Sequence, residues 1–185
     1  MTALHSNPAI ILQQASLVHD EATVSQAVSR LAQGITEMLN DEKPLVLCVM
    51  GGGVVFTGQL LPQLLFPLEF GYVQASRYHN RTHGDEQLVW KVKPGEEVRD
   101  RTILVLDDIL DEGVTLAEIK AQCLALGAKR VVVAVLVEKL LDPGKLKPIK
   151  ADFVGLQVPN QYVFGCGMDA YGWWRNLPAI YALPG

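Results

Sequence analysis

The segment Ile103-Leu104-Val105-Leu106-Asp107-Asp108-Ile109-Leu110-Asp111-Glu112-Gly113-Val114-Thr115-Leu116 sets two adjacent carboxylates behind an apolar run and a third acid shortly after them. Paired carboxylates accept hydrogen bonds from neighbouring hydroxyls, or hold a hard cation against them. The Asp111–Thr115 stretch has the opposite preference. A glycine-containing turn that opens a helix offers free backbone N–H groups and the positive end of the helix dipole, which suit a phosphate. One dipole contact contributes only about 0.3–1 kcal/mol at a surface, so several donors must act together. Acids beside a phosphate cradle are compatible if the ligand is a ribose phosphate: the acids take the sugar hydroxyls and the turn takes the phosphate.

Such side chains converge only if the elements that carry them are placed correctly. Residues 103–106 read as a strand buried on both faces, as in a parallel sheet. In open α/β sheets, ligands collect at the carboxyl ends of such strands. Residues 45–50 (LVLCVM), closed by Gly51-Gly52-Gly53, and residues 131–137 (VVVAVLV) have the same character. Residues 70–76 and 87–92 are expected as further strands, and 153–156 and 162–164 as short ones. Asp20 is a good N-cap for a helix whose one face carries Val24, Ala27, Val28, Leu31, Ile35, Met38 and Leu39. A second helix is expected over 54–65, against the resistance of Gly58 and Pro62. A third is expected over 115–126, closing at Gly127. Residues 77–86 are polar and turn-rich and read as a mobile loop. The expected fold is a single α/β domain over residues 1–185, with a central, mostly parallel sheet flanked by helices.

Composition narrows the partners. Apolar residues at 49% against 19% charged describe a globular chain, and a net charge of −4 without a basic stripe speaks against a nucleic-acid partner. No apolar stretch is long enough to span a membrane, and the N-terminus lacks the features of a secretory signal. Cys48, Cys123 and Cys166 are odd in number and far apart, which fits buried small hydrophobes in a reducing cytoplasm. His79 and His83 lie in a polar stretch without further ligands, so a metal site there is not expected.

The 103–116 segment resembles the phosphoribosyl-pyrophosphate motif of type I phosphoribosyltransferases: hydrophobics, two acids, two hydrophobics, Asp, a small residue, Gly, any residue, Thr. Other segments, in the same order along the chain, resemble the hypoxanthine-guanine branch of that family. Val49-Met50-Gly51-Gly52-Gly53-Val54-Val55-Phe56 is similar to its pyrophosphate loop. Residues 152–159 (DFVGLQVP), with 162–169 (YVFGCGMD), are similar to its purine hood, and Arg175-Asn176-Leu177-Pro178 to the segment that follows.

The resemblance implies a set of roles. Asp107 and Asp108 would take the ribose hydroxyls, and Asp111 would act as general base opposite the purine. Glu112, Gly113, Val114 and Thr115 would form the 5′-phosphate cradle. Met50, Gly51, Gly52 and Arg175 would contact pyrophosphate, with a non-proline cis peptide at Met50–Gly51. Lys139, Tyr162, Val163 and Asp169 would hold the purine: Lys139 at O6, Tyr162 stacked on the ring, Val163 reading its edge through the backbone. Arg77 and Tyr78 would belong to the mobile loop. Mg²⁺ is the implied cofactor, with Asp107, Asp108 and Asp169 linked to it. A hood from about residues 1–20 and 151–185 and a homodimer or homotetramer are implied as well. The implied reaction joins phosphoribosyl pyrophosphate to N9 of hypoxanthine or guanine in purine salvage.

The sequence departs from the family pattern at named places. Glu112 replaces a hydroxyl residue in the phosphate cradle. At about 4 Å and an effective dielectric of 20, a carboxylate there would repel phosphate by roughly 4 kcal/mol, so its side chain is expected to turn away. Gly51 replaces a lysine of the pyrophosphate loop, and Arg77 a serine. These changes leave two rivals open: an enzyme that prefers xanthine, and a regulator that binds phosphoribosyl pyrophosphate without turning it over.

Overall fold

The structure is a computed structural model that describes residues 7–79 and 86–184, excluding the side chains at 77–79 and 86–87. Its elements are α1 (Pro8–Gln14), β1 (Ser16–His19), α2 (Glu21–Leu39), β2 (Leu45–Met50), α3 (Val54–Leu60), β3 (Glu69–His79), β4 (Glu86–Val92), β5 (Thr102–Leu110), α4 (Val114–Ala125), β6 (Arg130–Lys139), β7 (Phe153–Val158), β8 (Val163–Phe164) and β9 (Ile180–Ala182). A six-stranded sheet runs β4-β3-β2-β5-β6-β7. Only the β3–β4 pair is antiparallel; every other pairing is parallel. The expected α/β class, with a mostly parallel sheet between helices, is observed.

The apolar runs do what parallel strands require. Along β5, Leu104 and Leu106 join the core with the α2 residues Val24, Val28, Leu31 and Ile35. Ile103 and Val105 face the other way and pack with Leu116, Ile119 and Cys123 of α4. Successive side chains alternate between faces, so a strand with helices on both sides must be apolar throughout. In α2, Asp20 accepts the Thr23 N–H at 2.8 Å and caps the helix as its sequence implies. Met38 is the exception on that helix: it is partly exposed at the rim, with its sulfur 3.0 Å from Arg130 Nη2.

Several bounds differ from the sequence reading. β5 continues beyond the acids to Leu110, because its later residues pair with β6, Ile109 with Val137 and Leu110 with Glu138. The helix expected over 54–65 ends at Leu60 and tightens into a 3₁₀ turn at Leu61–Gln63, where Pro62 cannot donate to a continuing α-helix. Residues 77–79 and 86 are strand, not loop, since β3 and β4 pair as far as His79 with Glu86. The rest of the expected mobile loop, residues 80–85 with His83, lies outside the described residues, as do the side chains of Arg77 and Tyr78.

A second, three-stranded antiparallel sheet, β1-β9-β8, joins the two ends of the chain. It has its own small core of Ile11, Phe164, Ala170 and Leu183, against which Trp174 packs. The Trp174 indole N–H donates to Pro8 O at 2.7 Å, tying α1 to this sheet. The three cysteines are free and buried. Burial pushes the Cys123 thiol to about 11 and the Cys166 thiol to about 12, so both stay protonated and pack as hydrophobes. Among the described residues, no helix is long and apolar enough to cross a membrane.

Candidate active site

Parallel strands all point their carboxyl ends one way, so the loops after β2, β5 and β6 emerge on one side of the sheet. Two adjoining clefts open there. The larger, about 370 Å³, is lined by Met50, Gly51, Gly52, Gln74, Ser76, Asp107, Asp108, Asp111, Gly113, Thr115 and Arg175, among others. The smaller, about 260 Å³, is lined by Asp108, Ile109, Asp111, Lys139, Tyr162, Val163, Met168, Asp169 and Arg175. Asp108, Ile109, Asp111 and Arg175 belong to both. Thus Asp107, Asp108, Asp111, Gly113, Thr115, Met50, Gly51, Gly52 and Arg175 meet in one cleft, while Lys139, Tyr162, Val163 and Asp169 meet in its neighbour. Glu112 and Val114 line neither.

The loop after β2 contains a cis peptide at Met50–Gly51. Gly52 packs directly on Asp108: a Cβ at Gly52 would come within 2.0 Å of Asp108 Oδ2. After Asp111 the chain turns through Gly113, at φ 85°, into α4. A side chain at 113 would be strained by that backbone and would press on Ile149 and Leu110. The first turn of α4 therefore presents its free N–H groups to the larger cleft beside Thr115.

Asp107 and Asp108 are 8% and 6% exposed. Asp107 Oδ1 accepts the Asp108 N–H at 2.9 Å. Burial, and then the Asp108 charge, raises the Asp107 carboxyl well above the usual carboxylate range. Burial also raises Asp108, against the opposing pull of the Asp107 hydrogen bond and the Arg175 charge.

The Asp107 shift predicts a pH effect. The folded state keeps the Asp107 proton to higher pH than the unfolded chain does. Stability is therefore full below the ordinary carboxylate range, and it falls as pH rises from there toward the raised value. Asp107→Asn removes this loss. The ligand-free variant should melt above the parent at neutral pH, by about 2–4 °C for each kcal/mol recovered, with the gap closing near the ordinary carboxylate pKa of about 4. Thermal melts at both pH values check it; a gap independent of pH would show that the Asp107 charge is not the cause.

Lys139, at the end of β6, places Nζ 2.7 Å from Asp111 Oδ2. The lysine side chain is 13% exposed and the aspartate 41%. Asp169 accepts the Gly172 N–H through Oδ2 at 2.7 Å and pairs with Arg175 through Oδ1 at 2.5 Å. Arg175 also donates to Gly167 O at 2.6 Å, which closes the 167–175 segment over the smaller cleft.

Lys147, which lines neither cleft but supports the strands behind them, is a residue that sequence reasoning missed. Its ammonium, 12% exposed on the side chain, donates to Lys139 O at 2.6 Å and Leu110 O at 3.2 Å, and pairs with Glu138 at 3.1 Å. It staples the ends of β5 and β6, the strands that lead to Asp111 and bear Lys139. Its setting, Gly-Lys-Leu-Lys-Pro, reads as a solvated surface run, and only the fold turns this lysine inward.

Residues 14–170 match the model of the phosphoribosyl transferase domain. The chain belongs to the phosphoribosyl transferase family. Among curated members of this family it is 32% identical over 165 residues to the hypoxanthine-guanine phosphoribosyltransferase of Bacillus subtilis, covering 88% of this chain and 89% of that one. It is 30% identical over 165 residues to the hypoxanthine-guanine-xanthine phosphoribosyltransferase of Tritrichomonas foetus, covering 89% and 88%. A crystal structure of a hypoxanthine-guanine phosphoribosyltransferase from Bacillus anthracis superposes with a TM-score of 0.77 at 25% identity, over 91% of this chain and 97% of that one. The fold and family implied by the 103–116 segment are thereby established.

Proposed function

We propose that this phosphoribosyltransferase joins the phosphoribosyl group of phosphoribosyl pyrophosphate to N9 of hypoxanthine or guanine, releasing pyrophosphate, as a purine-salvage enzyme of the cytoplasm. The observation that carries this reading is the Lys139–Asp111 pair at the junction of the clefts. A fixed donor beside a fixed acceptor matches the edge of a 6-oxopurine, where O6 accepts and the neighbouring protonated ring nitrogen donates. A 6-amino group would set its own N–H donors against the Lys139 ammonium, which has no lone pair to accept them.

The roles follow from placement. The larger cleft takes the sugar, with Asp107 and Asp108 accepting from its hydroxyls. The N–H groups of Gly113, Val114 and Thr115, with the Thr115 hydroxyl, hold the 5′-phosphate. Glu112 is exposed and lines neither cleft, so its backbone N–H serves the cradle while its carboxylate stays clear of the ligand. Pyrophosphate leaves past Met50, Gly51, Gly52 and Arg175. The base enters the smaller cleft, stacked on Tyr162, with the Val163 backbone reading its edge. Asp111 accepts the proton that the base loses as its nitrogen bonds to the anomeric carbon. Arg77 and Tyr78 belong to β3, and residues 80–85 that follow lie outside the described residues.

Mg²⁺ fits the donor set. Among the described residues, no three His, Cys, Asp or Glu side chains converge as a metal cage, and Asp169 does not join Asp107 and Asp108 in one. The ion commonly uses one or two carboxylates and completes its shell with substrate oxygens and water. The two buried acids at the cleft head would provide such a pair, while Asp169 lines the neighbouring cleft and is held by Arg175 and the Gly172 N–H. When bound, Mg²⁺ would neutralise charge on the departing pyrophosphate. A homodimer or homotetramer is proposed on the family likeness.

The test is incubation with phosphoribosyl pyrophosphate, Mg²⁺ and each of hypoxanthine, guanine, xanthine and adenine, reading nucleotide and pyrophosphate. Formation of IMP or GMP with adenine inert is the expected result. Tight phosphoribosyl pyrophosphate binding without product would identify a regulator, and faster use of xanthine would reassign the base.

Gly51 offers a further prediction. A Cβ there would meet nothing within 4 Å, and the residue lines the larger cleft. Gly51→Lys should lower KM for phosphoribosyl pyrophosphate roughly 3–10-fold, the worth of a charge-assisted hydrogen bond discounted for solvent. Initial rates at varied cosubstrate check it; an unchanged KM would mean that the pyrophosphate lies away from residue 51.

A further inference from the structure

We propose that Tyr171 is a positioning residue for the base, acting through Tyr162 as the outer layer of a stack in the order purine, Tyr162, Tyr171. This rests on the reading above, in which Tyr162 faces the purine. The rings of Tyr162 and Tyr171 lie with centroids 5.5 Å apart and planes 17° apart. Tyr162 lines the smaller cleft and Tyr171 does not, so Tyr171 backs the ring rather than filling the space of the base.

The backbone supplies an independent observation. Ala170 and Trp173 exchange backbone hydrogen bonds at 2.9 and 3.0 Å, so Tyr171 and Gly172 are the central residues of a two-residue turn. Both have positive φ, 53° for Tyr171 and 90° for Gly172. This is the primed hairpin turn, whose first central position favours Asn, Asp or Gly. A tyrosine in the left-handed region is uncommon and points to a compensating role. The role visible here is the ring: the turn, held from below by Asp169 through the Gly172 N–H, delivers it onto Tyr162. Burial raises the Tyr162 phenol, and its hydrogen bond with the Tyr171 backbone acts against that rise, so backbone and ring of Tyr171 both bear on the same side chain. Tyr162 is 46% exposed, so much of its ring is without packing partners other than Tyr171 and the cleft wall. A backing ring limits the freedom of Tyr162 before the base arrives, which lowers the ordering cost of binding.

The test separates turn from ring. Tyr171→Asn creates the preferred Asn-Gly turn and removes the ring; Tyr171→Phe keeps the ring. Tyr171→Asn should melt at or above the parent temperature, yet raise KM for the purine about 2–10-fold, the worth of an aromatic pair. KM for phosphoribosyl pyrophosphate should stay unchanged, and Tyr171→Phe should behave as the parent. In a Tyr162→Leu background, Tyr171→Asn should have no further effect on purine KM. An unchanged purine KM in Tyr171→Asn, or equal rises in both KM values, would overturn the proposal. A parent protein that makes no nucleotide would instead remove the reading of the site on which it rests.

Discussion

Asp111→Asn should slow nucleotide formation by about 10²–10⁴-fold, the usual cost of losing a general base. The substitution is nearly isosteric. The amide oxygen of the new side chain can still accept from Lys139 Nζ, which lies 2.7 Å from the native carboxylate, so the lysine is not released to wander. Asp111 is also 41% exposed on its side chain, and the largely buried Lys139 ammonium loses its countercharge but keeps a hydrogen-bond acceptor. What disappears is the ability to take a proton from the base as its nitrogen bonds to the sugar. The loss should therefore fall on kcat, with KM for phosphoribosyl pyrophosphate little changed. Steady-state kinetics with both substrates varied would check it, and a turnover number equal to the parent's would take the proton-accepting role from Asp111.

Gly52→Ala should cost at least about 10²-fold in kcat/KM, the scale expected when a site group is displaced by about an ångström. A Cβ at 52 would sit 2.0 Å from Asp108 Oδ2 and 2.6 Å from its Cγ. Gly167 packs on the same loop, so closely that a Cβ on it would lie 2.0 Å from Gly52 O and 3.5 Å from Asp108 Cβ. Gly167 crowds the loop, so the expected response is rotation of the Asp108 carboxylate out of the position proposed for the ribose hydroxyl. Asp108 is buried and short, and its movement costs function before it costs the fold. The variant should keep a melting temperature within a few degrees of the parent and lose its affinity for phosphoribosyl pyrophosphate. Calorimetric titration with that ligand reads the outcome, and parent-like binding would mean that Asp108 is not a ribose contact.

Both predictions act on carboxylates, Asp111 and Asp108, of a segment that is legible in advance because its determinants are local. Within residues 103–116, an all-apolar strand, paired acids, a glycine at positive φ and a helix start follow one another directly. Each specifies its neighbour's conformation with little help from the rest of the chain. The same holds for α2, where Asp20 caps the helix and the apolar period sets which face is buried. The strand limits are less legible. β5 reaches Leu110 only because β6 continues beside it, and the residues 77–79 read as loop are strand only because β4 pairs back across them.

The three-stranded sheet is harder still. β1 and β9 are four and three residues long, and they pair Ser16 with Ala182. Segments so short carry no readable period, and their stability comes from a partner at the far end of the chain. Lys147 and Tyr171 escape for the same reason. A lysine beside a proline in a polar run, and a tyrosine before a glycine, look like surface residues until the fold supplies carbonyls for one and a ring for the other.

By itself, then, the amino-acid order determined the class of fold, which strands deliver the candidate site, and the acids, turn and helix start proposed to meet a ribose phosphate. These depend on side-chain period and backbone preference over a few neighbouring residues. Only the tertiary structure decided that Lys139 closes on Asp111, that Gly52 and Gly167 wedge the loop against Asp108, and that two tyrosines stack at the rim. Such contacts join residues far apart in the chain, and their free energy exists only after the sheet has brought its ends together.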